Sequence, residues 1–304
     1  KMLMKIANRM ENLSPSVTLA ITALARELKA QGKDILSFSA GEPDFDTPQI
    51  VKDAAIKAIN DGQTKYTAVE GIIATKQAII NKLKKDHGLE YKLDGIVISN
   101  GAKHSLFNLF QVLIEKGDEV IIPAPYWVTY PEQVKFSDGI PVFIDTDDST
   151  EFKITPEQLK AVITPKTKVL LLNTPSNPTG SVYTKEELTA LGKVLEGTDI
   201  LVFSDEMYEK IIYNGTKFTA AAEVSEDMYN RTVTINGLSK AVAMTGWRFG
   251  YIATPNVALA KALTKLQGQV TSNVNTMTQY AAIPALEGEA DKDIEMMRIE
   301  FEKR

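Results

Sequence analysis

Reactive and polar side chains follow three apolar runs of the sequence, close to the point where each run ends. Asp205 comes directly after DILVFS, Asn177 lies in the proline-rich loop after KVLLLN, and Lys240 follows TVTIN. A lysine amine can form an imine with an aldehyde, and a buried carboxylate needs a charged or hydrogen-bonding partner. Each residue also has an ordinary explanation, because most lysines are solvated, acids cap helices and amides stabilise turns.

Two further segments after apolar runs could bind other parts of a cofactor. Gly101 and Ala102 follow GIVIS, and small residues there let backbone N–H groups approach a phosphate at the positive end of a helix. Trp127 follows EVIIP, where an aromatic ring could lie flat against a planar cofactor. A tight turn and a buried core tryptophan are the alternative explanations for these two segments.

Taken together, these groups are the set that a pyridoxal 5′-phosphate (PLP) enzyme needs. The lysine would form an imine with the cofactor aldehyde, and the acid would keep the pyridine nitrogen protonated. The amide and a phenol would hydrogen-bond the ring hydroxyl. Arg248, eight residues after Lys240, and backbone amides would hold the phosphate. The combination therefore predicts a PLP enzyme, although no single residue does.

These residues require a sheet whose strands end near one another. Helix-like segments lie between many of the apolar runs, for example the one that contains Leu106, Phe110 and Leu113. The runs lack polar alternation, so they predict strands buried on both faces in a doubly wound, mostly parallel α/β sheet. The predicted strands are GIVIS (95–99), EVIIP (119–123), PVFI (141–144), KVLLLN (168–173), DILVFS (199–204), TVTIN (232–236) and FGYIA (249–253).

Helix signals also occur before and after this alternating region. A helix is predicted over 15–31, with Gly32 ending it. Thr47 and Pro48 predict the N-cap and first residue of the next helix, which Gly62 ends. Residues 276–304 predict one helix that continues to the last residue.

Composition excludes several classes of function. The 304 residues are 44% hydrophobic, which is typical of a globular protein, and the net charge of −5 argues against a nucleic-acid partner. The absence of cysteine excludes disulfides, thiolate metal sites and a cysteine nucleophile. No apolar run approaches the about 20 residues needed to cross a membrane, and the start KMLMKIANRM lacks the apolar core of a signal peptide. We therefore expect no metal, no membrane partner and a cytoplasmic protein.

Seven strings between residues 39 and 251, in order along the chain, match a known family. They are SAGEPDFDTP, KYTAVEG, SNGAKHSLFN, PYWVTYP, NTPSNPTG, SDEMYEK and NGLSKAVAMTGWRFGY. At these residues the chain resembles the class I aminotransferases of fold type I, and within them the prokaryotic aspartate aminotransferase branch called subgroup Ib. The resemblance implies PLP as the cofactor, a large PLP-binding domain and a second, smaller α/β domain that is only partly present.

The resemblance also implies a role for each matching residue. Lys240 would carry PLP as a Schiff base and then move a proton between the substrate Cα and the cofactor C4′. Asp205 would pair with the pyridinium, Asn177 and Tyr208 would bond the ring oxygen, and Trp127 would stack on the ring. The phosphate would be bound by Arg248, by the partner subunit's Tyr66 and by the backbone of Gly101, Ala102 and Lys103. Many relatives carry a phosphate-binding hydroxyl at the position of Gly237, so here Ser239 or a backbone group must compensate for it.

Substrate recognition is implied by fewer residues. Gly41 would offer its backbone to the α-carboxylate, and Trp127 and Asn177 would also contact the substrate. Lys103 and Thr18 are associated with the side-chain carboxylate of aspartate or glutamate, since a distal carboxylate needs a cation. A solvated helix lysine is the alternative for Lys103. The implied reaction transfers the amino group of aspartate or glutamate to 2-oxoglutarate or oxaloacetate by a ping-pong mechanism, in a homodimer with shared active sites.

Other functions and the domain boundaries complete the sequence-based expectations. The alternatives are an aminotransferase for prephenate or aromatic amino acids, a PLP β-lyase, and a PLP-binding relative with impaired catalysis. His87, near a helix end, and His104, in the first turn after Gly101, are not expected in acid–base catalysis because Lys240 fills that role. The expected domains are an N-terminal arm (1–14), part of the small domain (15–47), the large PLP-binding domain (48–290) and the start of a helix that leads to the rest of the small domain (291–304), whose substrate-binding arginine is expected beyond this sequence.

Overall fold

The computed structural model describes residues 4–38 and 40–304, and a seven-stranded sheet lies at its centre. In chain order the strands are β1 (Ile96–Asn100), β2 (Glu119–Ala124), β3 (Ile140–Asp145), β4 (Thr167–Asn173), β5 (Leu201–Asp205), β6 (Thr232–Gly237) and β7 (Phe249–Ala253). They lie side by side in the order β1-β7-β6-β5-β4-β2-β3. Strand β7 is antiparallel to both neighbours, and every other neighbouring pair is parallel. The predicted mostly parallel α/β fold is confirmed, and each predicted strand is present.

Helices cover both faces of the sheet. Adjacent residues of one strand pack into different hydrophobic clusters: Val202 contacts the cluster that includes α7, whereas Phe203 contacts the cluster that includes α4 and α9. Both faces are therefore buried, as the unbroken apolar runs predicted. The helices are α1 (Val17–Ala30), α2 (Gln49–Asn60), α3 (Ile73–His87), α4 (Ala102–Leu113), α5 (Thr129–Phe136), α6 (Pro156–Val162), α7 (Lys185–Leu195), α8 (Glu226–Arg231), α9 (Val257–Val270), α10 (Thr276–Leu286) and α11 (Asp291–Lys303).

Two helix predictions are wrong in detail. Helix α2 begins one residue later than predicted, with Pro48 at the N-cap, because the Thr47 hydroxyl donates to the Ala243 carbonyl and accepts from Trp247 Nε1 instead of capping the helix. The predicted helix over 276–304 is two helices, α10 and α11. Gly288 between them has a φ of +93°, a left-handed conformation that an α-helix does not continue through.

The N-terminal segment packs loosely against the rest of the chain. Helix α1 forms where it was predicted, and Ser16 caps it by accepting from the Leu19 N–H, but none of its residues is buried. The first three residues of the expected N-terminal arm lie outside the described residues, and the domain boundaries stay a prediction. In the described part of the chain, no helix combines the length and the apolar character required to span a bilayer.

Candidate active site

A cavity of ≈ 250 Å³ lies at the carboxyl ends of the parallel strands. Asp205 is the last residue of β5 and Asn173 is the last residue of β4, while Ala102 begins helix α4. Ligands bind at this edge of open α/β sheets because the loops after the strands converge there. The cavity is lined by Ala102, Lys103, Trp127, Tyr130, Asn173, Asn177, Asp205, Met207, Tyr208, Ser239, Lys240, Thr245 and Arg248.

Asp205 supplies a buried carboxylate to this cavity. Tyr130 donates its hydroxyl to Oδ2 at 2.7 Å, and the Met207 N–H donates to Oδ1 at 3.2 Å. Burial raises the pKa of Asp205, and these two hydrogen bonds lower it only in part. Among the described residues Asp205 has no cationic partner within salt-bridge distance, so a cation bound in the cavity would be strongly stabilised beside it.

Lys240 supplies an amine to the same cavity. Its Nζ donates to the Gly41 carbonyl at 2.5 Å and lies 5.9 Å from the centre of the Tyr208 ring. Burial lowers the pKa of Lys240; Glu42 opposes this shift, while the positive charges of Arg248 and Lys103 add to it. A lowered pKa increases the neutral, nucleophilic fraction of the amine near neutral pH.

The part of the cavity around Arg248 suits an anion. Arg248 donates to the carbonyls of Thr245 at 2.8 Å and Asn100 at 3.3 Å, which places its guanidinium against Gly101. Gly101 has a φ of +85°, and a Cβ at this position would collide with the guanidinium. The turn therefore depends on glycine both for its backbone conformation and for the close approach of Arg248.

His104 helps to hold this turn. It lies in the first turn of α4, as predicted, and its Nδ1 accepts from the Asn100 N–H at 3.1 Å. Burial lowers the pKa of His104, and the charge of Arg248 lowers it further. The neutral ring is the form that can accept this hydrogen bond.

Two aromatic residues form the side of the cavity near Lys103. The Trp127 ring meets Tyr130 edge to face, with the ring centres 5.3 Å apart, and the Lys103 ammonium lies 4.8 Å from the Trp127 ring centre. The Asn177 backbone N–H donates to Asn173 Oδ1 at 2.7 Å, which fixes the loop after β4. Trp127 and Lys103 thus bring an aromatic ring and a cation together in the cavity lining.

Most predicted site residues lie together in this cavity, and four lie outside its lining. Gly101 directly precedes the lining residue Ala102 and lies against the Arg248 guanidinium. Gly41 is next to the cavity and contacts Lys240 through its carbonyl. Tyr66 is 89% exposed and does not reach the cavity of its own chain. Thr18 lies in α1, away from the lining residues. The roles assigned to these four residues stay predictions.

The close packing of the neighbouring strand explains why glycine occupies position 237, three residues before Lys240. A side chain on Gly237 would collide with the backbone carbonyl of Phe249 and with Gly250 in the adjacent strand β7. A hydroxyl at this position would therefore require β7 to shift. Ser239, which was predicted to compensate, is buried and lines the cavity.

Four lining residues were not predicted from the sequence. Asn173 could have been predicted from the sequence, because it is the last residue of the apolar run KVLLLN. Asp205, which was predicted, occupies a similar position directly after the run DILVFS. Tyr130 follows Trp127 by three residues, but only the folded structure shows its hydrogen bond to Asp205. The residues that the prediction missed are Tyr130, Asn173, Met207 and Thr245.

Comparison with known proteins assigns the family. Residues 33–304 match the family model described as aminotransferase class I and II. The chain is 53% identical over 301 residues to an aspartate aminotransferase of Geobacillus stearothermophilus, a match that covers 99% of this chain and 76% of that protein. It is 52% identical over 287 residues to an aspartate/prephenate aminotransferase of Nitrosomonas europaea, covering 94% of this chain and 72% of that protein.

A solved structure has the same architecture. The aspartate aminotransferase from Rhizobium meliloti superposes with a TM-score of 0.94 at 42% identity, and the match covers 99% of this chain and 75% of that one. The family model spans most of the sequence, and the similarity to these relatives extends over nearly all of it. The chain therefore belongs to the class I and II aminotransferases.

Proposed function

We propose that this aminotransferase uses PLP and transfers the amino group of aspartate, or of glutamate, to 2-oxoglutarate or oxaloacetate. The observation that carries the proposal is that the Lys240 amine and the Asp205 carboxylate line the same cavity. Any enzyme of this kind needs an amine for the aldehyde end of the cofactor and a carboxylate for its ring nitrogen. Both groups were predicted from the sequence as a pair.

The residues around the cavity fit PLP at two ends. Asp205 is buried without a cationic partner among the described residues, and a protonated pyridine nitrogen would supply one. Arg248 and the helix end at Gly101 suit a phosphate, because the backbone N–H groups and the guanidinium are both donors. Trp127 lines the same cavity and would pack on the ring.

Replacement of Gly101 with alanine tests the phosphate end. The methyl group would be forced into a left-handed backbone conformation and against Arg248, so we expect PLP to bind at least about tenfold more weakly. Titration of the apoprotein with PLP, followed by absorbance, measures the effect. Gly246→Ala is the matched control, because a Cβ on Gly246 would meet no atom within 4 Å. Equal affinities for the two variants would contradict the assignment of the phosphate site.

Each residue then has a defined task in the reaction. When bound, PLP would withdraw electrons from the Cα of an amino acid joined to it. Lys240 Nζ would take the proton from that Cα, and burial favours the neutral amine that this step needs, because it lowers the pKa of Lys240. Asp205 would hold a proton on the ring nitrogen, while Asn177 and Tyr208 would hydrogen-bond the ring oxygen.

Support for acidic substrates comes from Lys103 and from the names of the relatives. Both the Geobacillus and the Rhizobium proteins are named for aspartate. Lys103 lines the cavity, with its ammonium 4.8 Å from the centre of the Trp127 ring, and it would pair with the distal carboxylate of aspartate or glutamate. We also propose a homodimer, since the exposed Tyr66 would act in the partner's site and not in its own.

A second candidate function is transamination of prephenate or aromatic amino acids. The Nitrosomonas relative is named for both aspartate and prephenate. In this chain the flat face of Trp127 could pack against an apolar side chain as well as against a cofactor. A panel of amino donors with 2-oxoglutarate decides between the two. If the proposed function is right, aspartate should give the highest kcat/KM; a higher kcat/KM for aromatic donors would favour the second candidate. Release of ammonia and pyruvate without a 2-oxo acid would instead indicate a β-lyase.

The same panel tests the role of Lys103. Lys103→Ala should lower kcat/KM for aspartate and glutamate by about 10- to 100-fold, because the substrate carboxylate loses a charge-assisted hydrogen bond. Turnover of phenylalanine, which has no distal carboxylate, should change by less than about threefold. Lys116→Ala, a change of an exposed lysine outside the cavity, is the control. Equal losses for acidic and aromatic donors would rule out this role.

A further inference from the structure

A network of buried charges contacts the segment that carries Tyr208, and its residues lie outside the cavity lining. This segment follows β5, and its residues alternate in environment: Asp205 and Tyr208 line the cavity, whereas Glu206 and Glu209 do not. Both glutamates are nevertheless buried, at 0% and 5% exposure. A buried carboxylate is retained only where hydrogen bonds or cations compensate for the lost hydration.

Glu209 is held by two side chains of α3. Lys82 Nζ donates to Glu209 Oε1, and His87 Nε2 lies 3.1 Å from Glu209 Oε2. The other ring nitrogen of His87 lies 3.1 Å from Glu223 Oε2. Only a protonated imidazole can donate from both nitrogens at once. Burial opposes protonation, but the hydrogen bonds to Glu209 and Glu223 raise the pKa of His87 to about 9, so both bonds persist at neutral pH.

The same cluster does not resemble a metal site. Asp86, His87 and Glu209 place their ligand atoms within 4.8 Å of one another. The two carboxylates, however, are already paired with cations: Lys82 and Lys210 lie 3.2 Å and 2.9 Å from Asp86, and Lys82 also binds Glu209. A metal ion would have to displace these ammonium groups and deprotonate His87. The arrangement is a closed ion network that joins α3 to the segment after β5.

Tyr208 depends on this segment for its position. In the described chain its hydroxyl makes no hydrogen bond to protein, and its ring is only partly buried against the core. Its backbone carbonyl accepts from the Ile211 N–H at 2.8 Å, and the next residue, Glu209, donates its own N–H to the Glu206 carbonyl at 3.0 Å. Glu209 adjoins Tyr208, and its side chain is bound to Lys82 and His87 of helix α3. Glu209 thus ties the segment that carries Tyr208 to another element.

We propose that Lys82 and His87, acting through Glu209, are positioning residues that hold the Tyr208 hydroxyl where it meets the cofactor ring. The inference rests on the proposed function, in which Tyr208 hydrogen-bonds the ring oxygen of PLP. These three residues lie outside the cavity lining, so their effect on the cofactor passes through the turn that Glu209 and Tyr208 share. Loss of the network would free the turn that carries Tyr208, whereas Lys240 lies on a different segment, after β6.

A double-mutant cycle with PLP binding as its readout tests this coupling. His87→Gln should weaken PLP binding to the apoprotein by about tenfold, the worth of a hydrogen bond to a charged group, and should shift the pH at which the bound cofactor changes its absorbance. In a Tyr208→Phe background the same change should have less than about a twofold effect, because the hydroxyl that it positions is gone. Equal effects in the two backgrounds, or no effect in either, would overturn the inference.

Two further variants protect the test from general loss of stability. Replacing Lys82 by Met together with Glu209→Gln removes both charges of the buried pair at once, while Asp86 keeps Lys210 and His87 keeps Glu223 as charged partners. The double replacement should give the same dependence on Tyr208. Lys153→Met is the control: the Lys153 side chain is buried to a similar degree as that of Lys82, and it pairs with the more exposed Glu151 and Glu187 in another part of the chain. Lys153→Met should leave PLP binding unchanged. A loss as large as that of His87→Gln would show that removing the charge of a buried lysine elsewhere in the chain has the same effect, and would contradict the inference.

Hydrogen exchange gives an independent readout without cofactor. The Glu209 and Ile211 amides, which close the turn, should exchange faster in His87→Gln than in the wild type and in Lys153→Met. Unchanged exchange would contradict the inference. If the wild type itself fails to bind PLP, the proposed function fails; if it binds PLP but the cycle is additive, only the positioning role fails.

Discussion

Replacement of Lys240 with alanine is expected to reduce transamination by at least about 10⁴-fold. The variant loses the amine that would join the cofactor and also the base that would move the substrate proton, and no other amine among the described lining residues has the same surroundings. Lys103, the second lysine of the lining, is exposed and lies beside Trp127. Steady-state kinetics with aspartate and 2-oxoglutarate, together with the absorbance spectrum of the PLP-loaded protein, measure the effect.

Lys240→Arg separates the charge of this residue from its reactivity. Arginine keeps a positive charge in the cavity but cannot become a neutral nucleophile, because its pKa exceeds about 12. We expect this variant to be as inactive as Lys240→Ala and to bind PLP without a covalent bond. Turnover of either variant within about tenfold of the wild type would rule out the proposed mechanism.

Asp205→Asn should cause the second largest loss. The amide keeps the shape of the side chain but removes the charge that would stabilise a protonated ring nitrogen. Loss of one partner of a buried ion pair costs about 3–5 kcal/mol, which corresponds to a fall in kcat/KM of about 10²- to 10⁴-fold. Kinetics and PLP titration measure the change, and thermal unfolding of the apoprotein provides the reference for stability.

The same replacement should not lower the stability of the protein without PLP, although it lowers activity. Burial raises the pKa of Asp205 in the folded protein above its unfolded value, so its contribution to stability is present below the unfolded pKa and is lost as the pH rises through the folded pKa. Near pH 7 the Asp205→Asn protein without PLP should therefore be no less stable than the wild type.

Tyr130→Phe, which removes one hydrogen bond but keeps the carboxylate, should cost only about tenfold in kcat/KM. A larger loss for Tyr130→Phe than for Asp205→Asn would contradict the role of the charge.

The sheet and much of the site could be predicted because their signals are local. Each strand is a short, unbroken apolar run, and burial on both faces produces that pattern directly. The cavity residues Asp205 and Lys240 lie just after such runs, where chain order alone indicates the ligand-binding edge of the sheet. The position of these residues after a strand did not determine their roles. The resemblance of the seven strings to a known family then implied a role for each of them.

The remaining features depend on contacts between distant parts of the chain. Thr47 does not cap α2, because residues almost 200 positions later offer it better partners. Tyr130 could not be linked to Asp205 from the sequence, since 75 residues separate them. His87 was expected near a helix end and outside acid–base catalysis, and the structure adds two carboxylates from later segments as its hydrogen-bond partners. Long-range partners of polar side chains leave no periodic pattern in a sequence.

The most direct test of the account is to find which amine carries the cofactor. The wild-type protein is loaded with PLP, treated with borohydride to trap the bond between cofactor and amine, digested, and analysed by mass spectrometry. We predict that the phosphopyridoxyl group is found on the peptide that contains Lys240, and that Lys240→Ala abolishes this labelling. Labelling of another lysine such as Lys103 at equal yield, or no labelling of a protein that turns over aspartate, would contradict the claim that Lys240 and Asp205 hold opposite ends of PLP in one cavity.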